Sequence, residues 1–307
     1  MKKMDDLSDK SWRNDAAAKV SGRAKYADDL KFHNMLYAVP VYADYVHARI
    51  KNIDIAGAVQ MPGVVKVITA KDVLGNAYFG QINKDYAMFV SDKIRCHSDV
   101  VALVVAKTRE EAILAAQKVT VDADELPAVF DQEEAMQPGA PLIHEERGTN
   151  IINHHKIRRG DVDQGFKESA HILEHEFKTQ FIEHAYIEPE SAVCVPRADG
   201  VMEVYGSMQH PFSTRRFVAT ILGAPLADVE VITIPMGGGF GGKDDTAAIV
   251  CARAALAAKL TGYPVKITYD REWSIRESYK RHPYKVYYKI GFTADGKINA
   301  VKCKIIA

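Results

Sequence analysis

Met236-Gly-Gly-Gly-Phe-Gly-Gly-Lys-Asp-Asp245 places five glycines in six consecutive positions, between an apolar strand pattern at 229–234 and an alanine-rich helix pattern from Thr246. Glycine lacks a Cβ, so consecutive amides can take torsions closed to other residues and point several N–H groups at one anionic or oxo-bearing ligand. So dense a run implies that backbone approaches a ligand closely, although a ligand-free glycine turn would fit the same letters. Gly237, Gly239 and Gly242 also satisfy the dinucleotide pattern G-x-G-x-x-G. That motif normally opens its domain and is followed about 20 residues later by an acidic ribose contact, and Asp270 comes late for it. Gly237, Gly242 and Lys243 spell most of a phosphate loop, but Asp244 stands where a magnesium-binding hydroxyl belongs.

The 307 residues suffice for a large core and two domains. Forty basic and forty acidic side chains cancel, so neither nucleic acid nor an anionic membrane is expected as a partner. The first fifteen residues, MKKMDDLSDKSWRND, are charged and lack an apolar core, and no run of about 18 apolar residues follows; a cytoplasmic protein is expected. Cys96, Cys194, Cys251 and Cys303 stand far apart, a spacing that offers no local zinc or iron-sulfur cradle, and are expected to be reduced and mostly buried.

The fold class expected is α+β. The first half alternates strands at Leu36–Tyr42, 64–69, Val100–Ala106 and 119–123 with a short helix at 54–60 and a longer one at 109–118, capped by Thr108 with Glu110 and Glu111 in its first turn. Hydrophobic periodicity lapses near Gln132–Asn153, giving a division into 1–135, a linker at 136–153, and 154–307. In the second part, His171-Ile-Leu-Glu-His175 spells an inverted zincin signature, which needs a helix. The segment 170–181 alternates instead, as a strand does, and on a strand two residues four apart are separated by about 13 Å, too far for one zinc ion. His144, His154, His155 and His184 lack ligand spacing and are expected to be surface or hydrogen-bonded structural groups, and Lys156-Ile-Arg-Arg159 a solvated face.

Strands at 192–195 and 202–207 follow, with Gln209 directly after the second, an amide donor suited to hold an oxo group without adding charge. A helix at 214–222 ending at Gly223, the strand at 229–234, the glycine loop and a helix at 246–260 closed by Gly262 complete the run, and Ile298–Ile306 is a strand.

The order Glu188-Pro, Val195-Pro196, Ser207-Met-Gln209, Leu222-Gly-Ala-Pro225, Met236 to Lys243 and Arg281-His-Pro283 resembles the molybdenum-pterin subunit of the xanthine dehydrogenase and aldehyde oxidase family. Gly22-Arg-Ala-Lys-Tyr26, Asp28-Asp29, His47-Ala-Arg-Ile50, Pro62-Gly-Val64, the strand Val100–Ala106 and Glu125-Leu-Pro127 resemble its N-terminal α/β-hammerhead domain. The resemblance, over nearly the whole chain, implies that domain at 1–135 and the first part of a mixed α/β molybdopterin-binding domain at 154–307.

Position by position, the resemblance implies that Gln209 hydrogen-bonds an oxo ligand of molybdenum and that Gly238, Gly239, Phe240 and Gly241 line the metal and its pterin. Phe240 would touch the substrate pocket. Asp244 falls where purine-oxidising members carry a glutamate, so its carboxylate sits one methylene further back, which puts xanthine itself in doubt; a helix cap is its other possible role. No side chain is expected to ligate the metal. The chemistry implied is hydroxylation of a purine, another N-heterocycle or an aldehyde, with water as oxygen source. The cofactor would be molybdenum-molybdopterin, in plain form or as a cytosine dinucleotide, with iron-sulfur clusters and FAD on partner subunits. Family members continue past residue 307 into the part carrying the catalytic base. The expectation is a truncated product, or one piece of a split subunit completed by a C-terminal half, inactive alone. A nicotinamide enzyme and a cofactor-free remnant are the alternatives.

Overall fold

The structure is a computed structural model that describes residues 13–80 and 82–307. Most of the charged N-terminal run lies outside the described residues. Helix α1 (Ala16–Val20) leads to strands β1 (Leu36–Tyr42) and β2 (Ala48–Asp54), helix α2 (Ala56–Val59) and strand β3 (Val64–Ile68). Short strands β4 (Tyr78–Phe79), β5 (Tyr86–Ala87) and β6 (Lys93–Ile94) precede β7 (Val100–Ala106), helix α3 (Arg109–Ala116), β8 (Thr120–Glu125) and helix α4 (Gln132–Ala135). Helix α5 (Val162–Lys167), β9 (His171–Lys178), β10 (Ser191–Pro196) and β11 (Met202–Gly206) follow. Helix α6 (Pro211–Leu222), β12 (Val229–Thr233), helix α7 (Thr246–Thr261), β13 (Val265–Thr268), helix α8 (Arg271–Glu277), β14 (Lys285–Phe292) and β15 (Ile298–Ile306) complete the chain.

Local chemistry sets several of these boundaries. Thr108 accepts from the Glu111 amide while the Glu111 carboxylate accepts from the Thr108 amide, a reciprocal cap that starts α3. Helix α6 starts at Pro211, three residues earlier than the pattern suggests, because proline at the first helical position needs no amide partner. Gly223 and Gly262 end α6 and α7 in the left-handed conformation. Asp54 closes β2 and accepts from the Ala56 amide, which shortens the expected helix at 54–60.

The central sheet has the order β12-β11-β10-β13-β1-β7-β3. β1 runs parallel to β13, β11 runs parallel to β12, and β10 is antiparallel to both its neighbours. Strands from before and after residues 136–153 therefore share one sheet, with Leu36 opposite Val265. β7 is buried along its whole length, sending Leu103 and Val105 to the core under α6 and α7, and Val101 and Val104 to the core under α2 and α3. Helix α7 is buried from Thr246 to Ala258 and apolar there apart from Thr246 and Arg253, as a helix sealed in a core must largely be.

A second sheet, β6-β2-β8, carries residues 136–153 against it: Lys93, buried on β6, donates to the carbonyls of Leu142 and Ile143 and pairs with Glu145. A third, β15-β14-β9, holds His171 and His175 on an exposed strand, the geometry that rules out a shared zinc. A two-stranded ribbon pairs β4 with β5. No helix among the described residues is long and apolar enough to cross a membrane. Of the four free thiols, Cys194 and Cys251 are buried, but Cys96 and Cys303 are exposed, so the expected burial of most thiols is corrected to half of them. Cys96 sits in the turn before β7 and Cys303 on the outer strand β15, where neighbouring elements do not cover them.

Candidate active site

The glycine loop joins β12 to α7 and rests on two segments, residues 184–190 ahead of β10 and residues 207–210 after β11. Gln209 is bound to the loop from both ends. Its amide donates to the Lys243 carbonyl at 3.0 Å, and its side-chain Oε1 accepts from the amides of Gly241 at 2.9 Å and Lys243 at 3.2 Å. With Oε1 engaged, Nε2 remains as the donor that Gln209 can present to a ligand. Gly242 donates to the Gly239 carbonyl at 2.7 Å, which tightens the turn.

Two glycines in the loop need their conformation. Gly238 and Gly241 have φ of 106° and 94°, in the region that disfavours side chains. Phe240, between them and 77% exposed, has φ of 49°. A bulky residue there carries strain of about 1–2 kcal/mol. Among the described residues only Asn34, Ala185 and Phe240 are non-glycines with positive φ, and two of those three belong to the loop and the segment beneath it. Strain concentrated in two facing segments is a recurrent property of functional sites.

The amides of Gly238, Gly239 and Phe240 have no acceptor among the described residues. Three successive free N–H groups beside the Gln209 side chain form a cradle for an anionic or oxo-bearing edge. The cradle is close-fitting: a Cβ at Gly239 would lie 2.5 Å from Gln209 Oε1, and one at Gly242 would lie 2.7 Å from the Tyr186 ring and 2.8 Å from His184 Nδ1.

The supports beneath the loop are residues whose joint role sequence analysis does not foresee. Lys243 is fully buried, its Nζ donating to Ser207 Oγ at 2.7 Å and to Glu188 Oε2 at 3.1 Å, and lying 4.6 Å from the Tyr186 ring centre. A buried lysine so engaged cannot reach a phosphate outside the loop, which removes the phosphate-loop match. Burial lowers the Lys243 pKa, and the Glu188 carboxylate opposes that shift. Tyr186 donates to Glu190, whose pKa burial raises above the usual glutamate value. His184 Nδ1 is buried against Gly242 with no hydrogen-bond partner among the described residues, so His184 is neither a surface nor a hydrogen-bonded structural histidine as expected; only its two-residue spacing from Tyr186, and that of Tyr186 from Glu188, hints at this in the sequence. His154 and His155 are exposed, and His144 pairs with Glu146 at 3.1 Å.

Asp244 does not cap α7; Asp245 occupies the N-cap position, and Asp244 meets His210 Nε2 at 3.2 Å. That pair stands beside the Gln209–Lys243 backbone contact, at the exposed rim of the loop. Gln209, Gly238, Gly239, Phe240, Gly241 and Asp244, nominated from sequence, thus share one site. The sheet behind it is mixed, with β10 antiparallel beside β11, unlike the parallel sheet of a dinucleotide fold.

Residues 21–127 match the family described as aldehyde oxidase and xanthine dehydrogenase, a/b hammerhead domain, and residues 143–307 match the molybdopterin cofactor-binding domain family. A probable xanthine dehydrogenase component of Bacillus subtilis is 36% identical over 96% of this chain, which spans 39% of that protein. The nicotinate dehydrogenase large molybdopterin subunit of Eubacterium barkeri is 35% identical over 95% of this chain, which spans 68% of it. Among solved structures, the aldehyde oxidoreductase of Desulfovibrio gigas superposes with a TM-score of 0.87 at 29% identity, covering 96% of this chain and 34% of that one. CO dehydrogenase of Oligotropha carboxidovorans gives 0.86 at 30% identity, over 96% and 39%. A hammerhead domain followed by molybdopterin cofactor-binding sequence, matched in this order across the chain, makes it a member of the molybdopterin subunits of the xanthine dehydrogenase and aldehyde oxidase family.

Proposed function

We propose that this chain supplies the cofactor-facing wall of a molybdenum hydroxylase active site, acting on a purine, another N-heterocycle or an aldehyde with water as the oxygen source. The observation that carries the proposal is the cradle: three unpaired amides at Gly238, Gly239 and Phe240 beside a glutamine whose oxygen is already engaged. These groups suit molybdenum-molybdopterin, whose bound metal supplies oxygen transfer from water and accepts the substrate's electrons. The Gln209 Nε2 group would donate to an oxo ligand, and the three amides would line the metal and pterin. Phe240, exposed and in a left-handed backbone conformation, would bound the substrate pocket. Asp244, oriented by His210, would accept a hydrogen bond from a ring N–H of the substrate.

Electrons would pass to iron-sulfur and FAD centres on partner subunits, because two of this chain's four cysteines are sealed in the core and none is close to another in sequence. Free thiols in the core suit a cytoplasmic setting. The division into 1–135, 136–153 and 154–307 is part of this proposal; the gap between the two family matches, residues 128–142, overlaps the linker only at its start. The test is elemental analysis and native mass spectrometry of the complex isolated from its own cells. Molybdenum and phosphorus in stoichiometric amount, with the pterin's nucleotide form and the partner chains read from the masses, are expected. A metal-free complex holding nicotinamide dinucleotide, or no cofactor, overturns the reading.

A further inference from the structure

One carboxylate oxygen ties the two ends of the glycine loop together. Glu188 Oε2 accepts from the Gly237 amide at 2.6 Å, from Ser207 Oγ at 2.6 Å and from Lys243 Nζ at 3.1 Å. Gly237 and Lys243 bracket residues 238–242, so this oxygen closes the loop into a ring. A second closure comes from Gln209, which takes the amides of Gly241 and Lys243. Together the two side chains consume the loop's inward N–H groups and leave those of Gly238, Gly239 and Phe240 free for the outside. The fit is close at the first anchor, where a Cβ on Gly237 would lie 2.5 Å from the Glu188 Cβ. Nearby, Arg271 donates through Nη2 to the carbonyls of Tyr186 and Ile187, so two cations, Lys243 and Arg271, underlie the loop.

We propose that Glu188 is a positioning residue. Its ion pair with buried Lys243 sets the glycine loop in its ligand-ready conformation before any cofactor arrives, with the free amides turned toward an anionic or oxo-bearing group. A loop of this composition has large conformational entropy when free, and a clasp inside the protein removes that cost in advance of binding. The inference rests on the molybdopterin reading for the identity of the ligand, but not for the existence of the clasp.

Hydrogen exchange followed by mass spectrometry on the full cofactor-free chain tests the clasp directly. In Glu188→Gln, which retains shape and acceptor but removes the charge, exchange in the peptide spanning 236–243 is expected to quicken about tenfold or more, while β10 and β11 stay protected. Ser207→Ala, which keeps the ion pair but removes the hydroxyl that donates to Glu188 and accepts from Lys243, should loosen the loop less. Glu188→Gln combined with Lys243→Met, which removes the stranded ammonium, should regain part of the protection. In the complex assembled in its own cells, molybdenum per chain should fall in Glu188→Gln and partly recover in the double variant. Unchanged loop exchange in Glu188→Gln, exchange rising equally across the sheet, or a loosened loop with full molybdenum occupancy each overturns the proposal. If the loop loosens but neither parent nor variant holds molybdenum, the clasp stands and the cofactor reading falls.

Discussion

Gly239→Ala isolates the contact between loop and glutamine. Gly239 is absent from the residues with positive φ, so alanine is accepted by the backbone and the whole effect comes from the added methyl group. That methyl would lie 2.5 Å from Gln209 Oε1, 2.9 Å from its Cδ and 3.0 Å from its Cγ. The glutamine must swing away, and Oε1 then leaves the amides of Gly241 and Lys243, which it holds at 2.9 and 3.2 Å. Two neutral hydrogen bonds at about 0.5–1.5 kcal/mol each amount to about 1–3 kcal/mol, a roughly 5- to 150-fold loss of the correctly formed loop. The same swing redirects Nε2, so molybdenum per chain in the purified complex should fall together with stability in a urea melt. Gly296→Ala is the control: φ is 84° and nothing lies within 4 Å of the added carbon, so it carries backbone strain without touching the site. It should lower stability by about 1–2 kcal/mol and leave molybdenum content unchanged. Full molybdenum in Gly239→Ala, or equal metal loss in both variants, would refute the link between Gln209 and the cradle.

Two further outcomes follow from charges away from the loop. Arg253 and Glu277 form a fully buried pair, with the hydroxyls of Tyr42, Tyr86 and Tyr269 also directed at the carboxylate, so Arg253→Met should cost about 3–5 kcal/mol in a urea melt. Adding Glu277→Leu should restore a large part, and a single-variant loss below about 1 kcal/mol would show the pair to be dispensable. Asp131 is held at about 2 rather than 3.8 by its hydrogen bond from Lys285 and by the amides it caps at the start of α4. Because the folded value is lowered, its contribution is complete above 3.8 and disappears as pH falls through about 2. A carboxyl NMR titration of Asp131 should show a midpoint near 2, and an ordinary midpoint would mean that Lys285 does not reach it in solution.

Much of the fold is written in local pattern. β1 and β7 fall at the residues their apolar character marks, and the Thr108 cap and Gly262 stop bound their helices, because propensity, capping and burial agree there; β15 also falls where expected, although it is mostly exposed. β14 is unmarked in the sequence: Lys285, Tyr287 and Lys289 interleave with apolar residues in a segment that is only half-buried, so no clear contrast between faces arises. The site divides the same way. The glycine run announces itself by composition, and the resemblance to a known family picks out Gln209. Glu188, Ser207 and Lys243 meet only because β11 and β12 are paired and the loop folds back over residues 184–190. Lys243 looks like a phosphate ligand in sequence because its neighbours are glycines, and no local pattern tells which side of a loop a lysine will enter.

The parallel pairing of β1 with β13 has a consequence for biosynthesis. Leu36 leaves the ribosome long before Val265, so the nascent hammerhead segment presents an unzipped strand until the later segment is made. Pairings this remote in sequence close slowly, and an open strand border invites association with other nascent chains meanwhile. Growth temperature and chaperone supply should therefore govern the yield of this chain more than its final stability does.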